Sequence, residues 1–294
     1  MYENKRLGFL FVLPFVLGVL AFKLFPFVMS FALSFTQYDI INPPQYVGLA
    51  NYEELALADP LFRKSLGVTI AFVALTVPLR LAFALFIAHV LNFRLRGINF
   101  FRSAYYLPSI LGGSIAVSVL WRFIFSQHGL VNIALGKLGI GPIAWLADEH
   151  YSLWTIVLLN VWQFGSAMVI FLAALQNVPV SLYEAAECDG ASKAQQFWRI
   201  TVPLITPVIF FQLVTGLIAS LQLFTEPFII SKGIGEPAQS LMFYSMQLYR
   251  QAFVYFNMGR ASAMAWVLFL VILLLTLVVF KSSGWVHYGG EEKK

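Results

Sequence analysis

Residues 260–280 have the sequence RASAMAWVLFLVILLLTLVVF, in which Arg260 is the only charged residue. A bilayer core about 30 Å thick is crossed by roughly 20 residues of helix, so its length and apolar character predict a transmembrane helix. Five other stretches are similarly long and apolar. The predicted spans are approximately 8–30, 66–91, 104–125, 152–175, 204–225 and 260–280.

The composition of the whole chain also indicates a membrane protein. Of its 294 residues, 60% are hydrophobic and 11% are charged, whereas soluble domains have about 45–50% apolar and about 25% charged residues. A soluble enzyme, a disordered chain and a disulfide-stabilised secreted domain are excluded. The four dispersed histidines give little support to a metal site. Because the apolar stretches are continuous rather than alternating, we predict an all-α polytopic bundle and not a membrane β-barrel.

The positions of the basic residues predict the orientation of this bundle. The short link 92–103 contains three arginines and no acidic residue, and cytoplasmic loops are enriched in Lys and Arg. We therefore expect both termini in the cytoplasm, and we attribute the net charge of +5 to topology rather than to nucleic-acid binding. The first stretch resembles a signal peptide, but its long apolar run, with Lys23 and Pro26 where small residues would be needed for cleavage, favours a retained span.

Residues 176–203, QNVPVSLYEAAECDGASKAQQFWRITVP, form the longest polar link on the predicted cytoplasmic side. Ser181 with Glu184, and Ser192 with Gln195, have the spacing of helix capping boxes. Asp189-Gly190 between them predicts a turn, because glycine tolerates a positive φ. The second helix should run toward Pro203, which can stop or kink it. We call this segment the 176–203 loop.

The apolar residues of the 176–203 loop favour a docking site over an ordinary solvated loop. Exposed aromatic side chains are unfavourable unless a partner covers them. The four residues concerned are Leu182, Tyr183, Phe197 and Trp198.

The same loop resembles the EAA motif of ABC-importer permeases. The motif consists of Glu-Ala-Ala, three residues, Gly, nine residues, Ile, one residue and Leu-Pro, and this chain departs from it only in having Val202 in place of Leu. In that family the loop is a coupling helix that sits in a cleft of the cytoplasmic ATPase. The resemblance implies that the ATPase-coupling residues are Glu184, Ala185, Ala186, Asp189, Gly190, Ile200 and Pro203.

Three further stretches resemble carbohydrate-uptake permeases of the maltose-importer type. They are 48–66, 101–132 and 285–288, the last being Trp-Val-His-Tyr. The chain is most similar to the first, MalF-like member of the permease pair, in a minimal six-span form. The resemblance implies a type I ABC-importer permease fold in which residues 1–294 form a single transmembrane domain.

The chain has no phosphate-binding loop, since the closest stretch, Gly136-Lys137-Leu138, lacks the glycine spacing and the following Ser or Thr. We therefore expect another chain to hydrolyse ATP. The resemblance implies two ABC ATPase subunits that bind ATP and Mg, a second and different permease, and an extracytoplasmic sugar-binding protein. This chain would bind no cofactor and would supply half of the translocation pathway in a bacterial or archaeal cytoplasmic membrane.

Arg80 is a charged residue well inside the second predicted span. An arginine at the centre of a membrane helix costs about 2.5–3.5 kcal/mol on insertion scales, so it is a functional-site hypothesis by default. One interpretation is structural, with Arg80 satisfying helix carbonyls or pairing with another subunit. The other places Arg80 on the translocation path, where an acidic saccharide would suit it.

The fourth and fifth spans contain the side chains expected for sugar recognition, which uses aromatic faces, amides and carboxylates. In the family that this chain resembles, the corresponding helices line the sugar site. The alternative is that Trp162 packs against lipid while the polar groups bridge helices. The substrate-path candidates besides Arg80 are Asn160, Trp162, Gln163, Gly165, Ser220, Gln222, Thr225 and Glu226.

Two other functions remain open at this point. The EAA loop is shared by importers of other polar solutes, such as polyamines. A stand-alone secondary transporter would need intramembrane carboxylates for ion coupling, and only Glu226, at a span end, comes near to that requirement.

Overall fold

The computed structural model describes residues 5–93 and 96–286, and most of these residues are helical. Fifteen α-helices lie in these ranges: α1 Lys5–Val19, α2 Phe25–Ser34, α3 Ala50–Glu53, α4 Pro60–Leu91, α5 Ile98–Leu111, α6 Ile115–Ile124, α7 Leu130–Lys137, α8 Glu149–Trp162, α9 Gly165–Gln176, α10 Val180–Cys188, α11 Lys193–Gln196, α12 Val202–Leu221, α13 Thr225–Ile230, α14 Tyr244–Phe253 and α15 Met258–Lys281.

Several shorter elements connect these helices. Wide π-helical turns occupy Leu20–Leu24, Glu54–Ala58 and Phe197–Thr201, and a 3-10 turn occupies Ser283–Trp285. Strands β1 (Thr36–Gln37) and β2 (Gln45–Tyr46) pair antiparallel with Thr36 opposite Tyr46.

Four continuous helical stretches are long and apolar enough to cross a membrane. They correspond to the first, second, fifth and sixth predicted spans. The first extends beyond its predicted C-terminal end, the second beyond its predicted N-terminal end, and the other two beyond both ends. Their bounds are Phe9–Ser34, Pro60–Leu91, Lys193–Ile230 and Met258–Trp285. The number of candidate spans becomes six if two bent helix pairs, α5 with α6 and α8 with α9, are each counted as one.

The third predicted span, 104–125, is not one helix, because α5 and α6 meet at an angle of 102°. The break is built into the sequence between them. Gly112 is extended and Gly113 has a φ of +74°. Ser114 then accepts a hydrogen bond from the Val117 amide and caps the start of α6. The fourth predicted span, 152–175, bends by a smaller angle of 43° between α8 and α9.

The chain divides into two compact units, of which the first comprises residues up to Arg63 together with Gln247–Val271. Trp266 lies at the centre of its aromatic cluster, with ring centroids 4.6 Å from Phe27 and 4.7 Å from Phe31. The buried Asn51 amide donates to the backbone oxygens of Ser34 and Thr36, at 2.9 Å each. This amide satisfies the carbonyls that are left free where α2 ends.

An ion-pair cluster completes the first unit, with Arg260 and Asp59 largely buried and Glu54 exposed. Arg260 donates through Nη1 to Glu54, at 2.7 Å, and through Nη2 to Asp59, at 2.6 Å. The other carboxylate oxygen of Asp59 accepts the amides of Leu61 and Phe62, at 2.9 and 3.0 Å, and so caps α4. Removing one partner of such a buried pair leaves an uncompensated charge, so the cluster fixes the start of α15 against the segment before α4.

The second unit comprises Lys64–Met246 and the residues from Ile272 on. Its apolar core joins α4, α9, the start of α12 and the segment that follows α9. The small residues Ala84 and Ala88 of α4 are fully buried in this core. The buried members of this core include Ala84, Ala88, Met168, Phe171, Leu175, Val178 and Ile205.

We predict that Gly259→Ala destabilises the protein. A Cβ at Gly259 would lie 1.9 Å from the backbone oxygen of Thr36, which no side-chain movement can relieve. Overpacking of this kind costs about 1–3 kcal/mol, which should lower the midpoint of thermal unfolding of the purified protein. Gly67→Ala is the matched control, because Gly67 also lies in a long helix but has no neighbour within 4 Å. An unchanged midpoint for Gly259→Ala would contradict the close approach.

Candidate functional site

The first half of the 176–203 loop is α10 followed by a tight glycine turn. Gly190 has a φ of +76°. Its amide donates to Glu187 O at 3.0 Å, and the Ala191 amide donates to Ala186 O at 2.9 Å. These two bonds form a Schellman motif, which explains the glycine at this position. The predicted capping box at Ser181 and Glu184 is wrong, because α10 begins earlier, directly after the extended Pro179, and has no side-chain cap.

The second half of the loop begins with the predicted capping box at Ser192. Ser192 Oγ accepts the Gln195 amide at 3.3 Å, and Gln195 Oε1 accepts the Ser192 amide at 2.7 Å. Lys193 donates to the carboxylate of Glu187 across the turn and lowers the pKa of that carboxyl. The two helices of the loop are therefore held together by backbone, capping and charged contacts.

The apolar residues of the loop divide into an anchoring pair and an exposed pair. Tyr183 shares a 2.8 Å hydrogen bond with the Thr201 hydroxyl and packs against the core of the second unit. The Phe197 ring lies 4.6 Å from the ring of His89 on α4. Leu182 and Trp198 instead remain exposed, at 41% and 67%. The loop is thus fixed to the core and still presents apolar surface.

A cleft of about 370 Å³ lies between the two halves of the 176–203 loop. It brings Ile200 together with Ala186, Asp189 and Gly190, which lie at least ten residues earlier in the EAA-like motif. Glu184 and Ala185 are exposed on α10. Pro203 is the second residue of α12 and follows the π-helical turn, so the helix is widened there rather than stopped.

The second candidate region surrounds the bend between α8 and α9. At this bend the backbone oxygen of Gln163 accepts Arg80 Nη2 and Ser109 Oγ, both at 3.0 Å. Ser109 Oγ also accepts the Ser166 amide at 2.9 Å. Side chains of α4 and α5 therefore supply the hydrogen bonds that the bend removes, which is a requirement inside a membrane.

Two glycines permit the close packing at this bend. A Cβ on Gly165 would lie 2.5 Å from the backbone oxygen of Tyr105, and a Cβ on Gly112 would lie 2.4 Å from the side chain of Gln163. The candidate Gly165 therefore allows α9 to contact α5 at the backbone level.

Arg80 also lines a groove of about 220 Å³ between α4, α9 and α12. Glu226, which is 5% exposed at the start of α13, lies near enough to interact electrostatically with Arg80 and with the Gln163 side chain. No salt bridge within 4.0 Å joins Arg80 to Glu226 among the described residues. The polar lining of the groove consists of Arg80, Ser166, Gln212, Thr215 and Ser220.

The other sequence candidates lie outside this groove. The buried Asn160 amide donates to Ile156 O in its own helix, at 3.2 Å. The Trp162 ring lies 5.8 Å from that of Trp121. Gln222 is exposed and Thr225 is half-buried at the start of α13. Sequence reasoning missed Ser109 and Gln212, since a lone hydroxyl or amide in an apolar span gives no specific signal.

The two regions define the class of protein: a helical membrane protein with a polar groove between α4, α9 and α12 and a two-helix loop that resembles the EAA motif. The family model described as "Binding-protein-dependent transport system inner membrane component" matches residues 9–287, and the chain belongs to this family.

Individual relatives agree with this family. The chain is 48% identical over 293 residues to the probable ABC transporter permease protein YesP of Bacillus subtilis (strain 168), which covers 99% of this chain and 95% of YesP. It is 36% identical to the arabinooligosaccharides transport system permease protein AraP of the same organism, over 96% of this chain and 90% of AraP.

A solved structure supports the fold. A chain of the bacterial alginate ABC transporter, in complex with an alginate pentasaccharide-bound periplasmic protein, has a TM-score of 0.82. The match covers 96% of this chain and 95% of that chain at 22% sequence identity.

We predict that Gly190→Ala loosens the 176–203 loop. A residue with a Cβ in the left-handed conformation costs about 1–2 kcal/mol. Amide hydrogen exchange within 183–191 occurs when the loop opens locally. A destabilisation of about 1–2 kcal/mol makes the open state about 5–30-fold more populated, so exchange should become faster by the same factor. Gly136→Ala in α7 is the control, since Gly136 has no neighbour within 4 Å. Equal exchange in both variants would exclude a structural need for glycine.

Proposed function

We propose that this chain is the transmembrane permease subunit of an ATP-driven sugar importer and forms half of the translocation pathway. The observation that carries the proposal is the 176–203 loop, in which four motif residues line one cleft and Tyr183 packs against the core of the second unit. An element that is exposed on one side and anchored on the other can transmit the movement of a docked ATPase. The coupling residues are those named from the motif.

The proposal includes a topology. The segments 8–30, 66–91, 104–125, 152–175, 204–225 and 260–280 would provide six crossings within one transmembrane domain, with the bent pairs counted as one crossing each. Both termini and the 176–203 loop would face the cytoplasm. The positively charged link 92–103 supports this orientation.

Sugar as cargo is supported by the names of relatives and by the polar groove. AraP is named for arabinooligosaccharides, and LacF of Rhizobium radiobacter, 33% identical over 282 residues, for lactose. Hydroxyl and amide groups in the groove suit the hydroxyls of a saccharide. The groove is smaller than the roughly 300–1,000 Å³ of typical ligand pockets, as expected if a second permease supplies the remaining wall.

The energy for uptake would come from partner chains. In the proposed complex two ABC ATPase subunits bind ATP and Mg, a different permease pairs with this chain, and an extracytoplasmic binding protein delivers the sugar. The complex would reside in a bacterial or archaeal cytoplasmic membrane. This chain itself would carry no cofactor.

A second candidate function keeps the machinery and changes the cargo to another polar solute. The permease UgpA of Yersinia pestis, named for sn-glycerol-3-phosphate, is 32% identical over 285 residues and 95% of each chain. Uptake of sn-glycerol-3-phosphate in place of any saccharide would favour this alternative.

We predict that purification from native membranes recovers an ATPase and a second permease with this chain. A mild detergent and mass spectrometry of the purified complex would test this. A lone chain whose solute uptake follows an ion gradient and ignores ATP would contradict the proposal and indicate a secondary transporter.

We also predict that Glu184→Ala weakens coupling. If Glu184 forms a charge-assisted hydrogen bond with the ATPase, its loss costs about 1.5–3 kcal/mol, or about 10- to 150-fold in docking affinity. Uptake should fall while membrane insertion is retained, because α10 is exposed. Glu149→Ala, at the exposed start of α8, is the matched control. Normal uptake and normal ATPase recovery with Glu184→Ala would exclude this coupling role.

A further inference from the structure

We infer that Arg80 recognises an anionic group of the cargo, so that the sugar carried by this permease bears a carboxylate. The inference rests on the proposed function and names the substrate class of the same pathway. It depends on the depth of Arg80, on its unused hydrogen-bond donors and on the character of the groove that it lines.

Arg80 lies deep in a predicted membrane span, where a charged side chain is unfavourable unless something stabilises it. Arg80 lies about 11 residues before α4 ends at Leu91, which is about 16 Å along the helix. This distance is about half of a hydrocarbon core. A charged side chain at this depth is stable only next to water, a counter-charge or protein carbonyls.

The protein satisfies only part of the guanidinium. Arginine has five N–H donors, and the hydrogen bond from Nη2 to Gln163 O uses one of them. The buried Nε has no hydrogen-bond partner. Glu226 lies nearby but forms no direct salt bridge with Arg80, so the Nη1 group and the second hydrogen of Nη2 have no partner among the described residues. A planar donor fork matches a carboxylate better than it matches a single hydroxyl.

The rest of the groove also favours recognition by charge. Neutral sugar rings are usually bound against aromatic faces, but no aromatic side chain is among the described residues that line this groove. The lining instead combines hydroxyl and amide groups, on Ser166, Gln212, Thr215 and Ser220, with small and aliphatic residues. Ser166 and Thr215 are exposed among these lining residues. Such a surface can bind hydroxyls while Arg80 supplies the strongest single contact.

The first experiment compares acidic saccharides with neutral derivatives of the same compounds. Cells with and without this chain, both containing the partner subunits, are given radiolabelled uronic-acid di- and trisaccharides, the same compounds after carboxyl reduction, and sn-glycerol-3-phosphate. Uptake that depends on this chain and is confined to the acidic saccharides is the expected result. Equal or preferential uptake of the reduced compounds would overturn the inference and leave the proposed function intact. Uptake of sn-glycerol-3-phosphate and of none of the saccharides would overturn both.

The second experiment uses Arg80 variants in the assembled importer. Arg80→Gln should raise the KM for the acidic saccharide by about 10- to 150-fold, the range for losing a hydrogen bond to a charged group. Arg80→Lys should fall between the parent and Arg80→Gln, because lysine keeps the charge and loses the fork. Arg122→Gln, which removes an arginine of α6 outside the groove, should leave the KM unchanged.

A purely structural Arg80 would give a different pattern. Its replacement would reduce the amount of assembled complex recovered from membranes and lower the maximal rate, with the KM unaltered. That result, or an unchanged KM in a fully assembled Arg80→Gln importer, would overturn the assignment of Arg80 to cargo recognition.

Discussion

The hydrogen bond from Arg80 to the backbone oxygen of Gln163 is the contact on which the centre of the second unit depends. A bend between α8 and α9 removes the helical partner of this carbonyl, and the bilayer core offers no water to replace it. Arg80 from α4 and Ser109 from α5 supply the missing donors, at 3.0 Å each. Ser109 also receives the Ser166 amide, so one hydroxyl secures both sides of the bend. Four helices are thereby fixed around one carbonyl.

The sequence predicted those features that local chemistry determines. Long apolar runs gave the positions of α4 and α15, and the Ser192 capping box and the Gly190 turn follow from short-range rules. The prediction of the third span as a single helix was wrong because Gly112-Gly113-Ser114 breaks the helix inside an apolar run. Hydropathy measures only apolar character and does not detect such a break. The failed cap at Ser181 has a similar cause, since Pro179 starts the helix earlier.

The surroundings of Arg80 were only partly predictable, because spatial neighbours are set by packing rather than by sequence distance. Arg80, Gln163 and Glu226 were identified singly as polar residues in apolar spans, and the fold brings them near one another. Gly165 was identified as a substrate-path candidate, and in the structure it lies against α5, where an added Cβ would be 2.5 Å from Tyr105 O. Asn160 is also a polar residue in an apolar span, but its side chain donates a hydrogen bond to a carbonyl of its own helix. Polarity alone therefore cannot separate a groove residue from a helix-stabilising one.

The two candidate regions lie at opposite ends of one helix. α9 begins at Gly165, directly after the bend at Gln163, and ends at Gln176, where the 176–203 loop starts. Its length is about 18 Å, and Met168, Phe171 and Leu175 are buried along it in the core of the second unit. A well-packed helix moves as a rigid body, because close-packed interiors transmit strain. In the proposed mechanism a displacement of the loop would therefore reach the Gln163 carbonyl and Arg80, so that the residue inferred to bind the cargo also stabilises the bend.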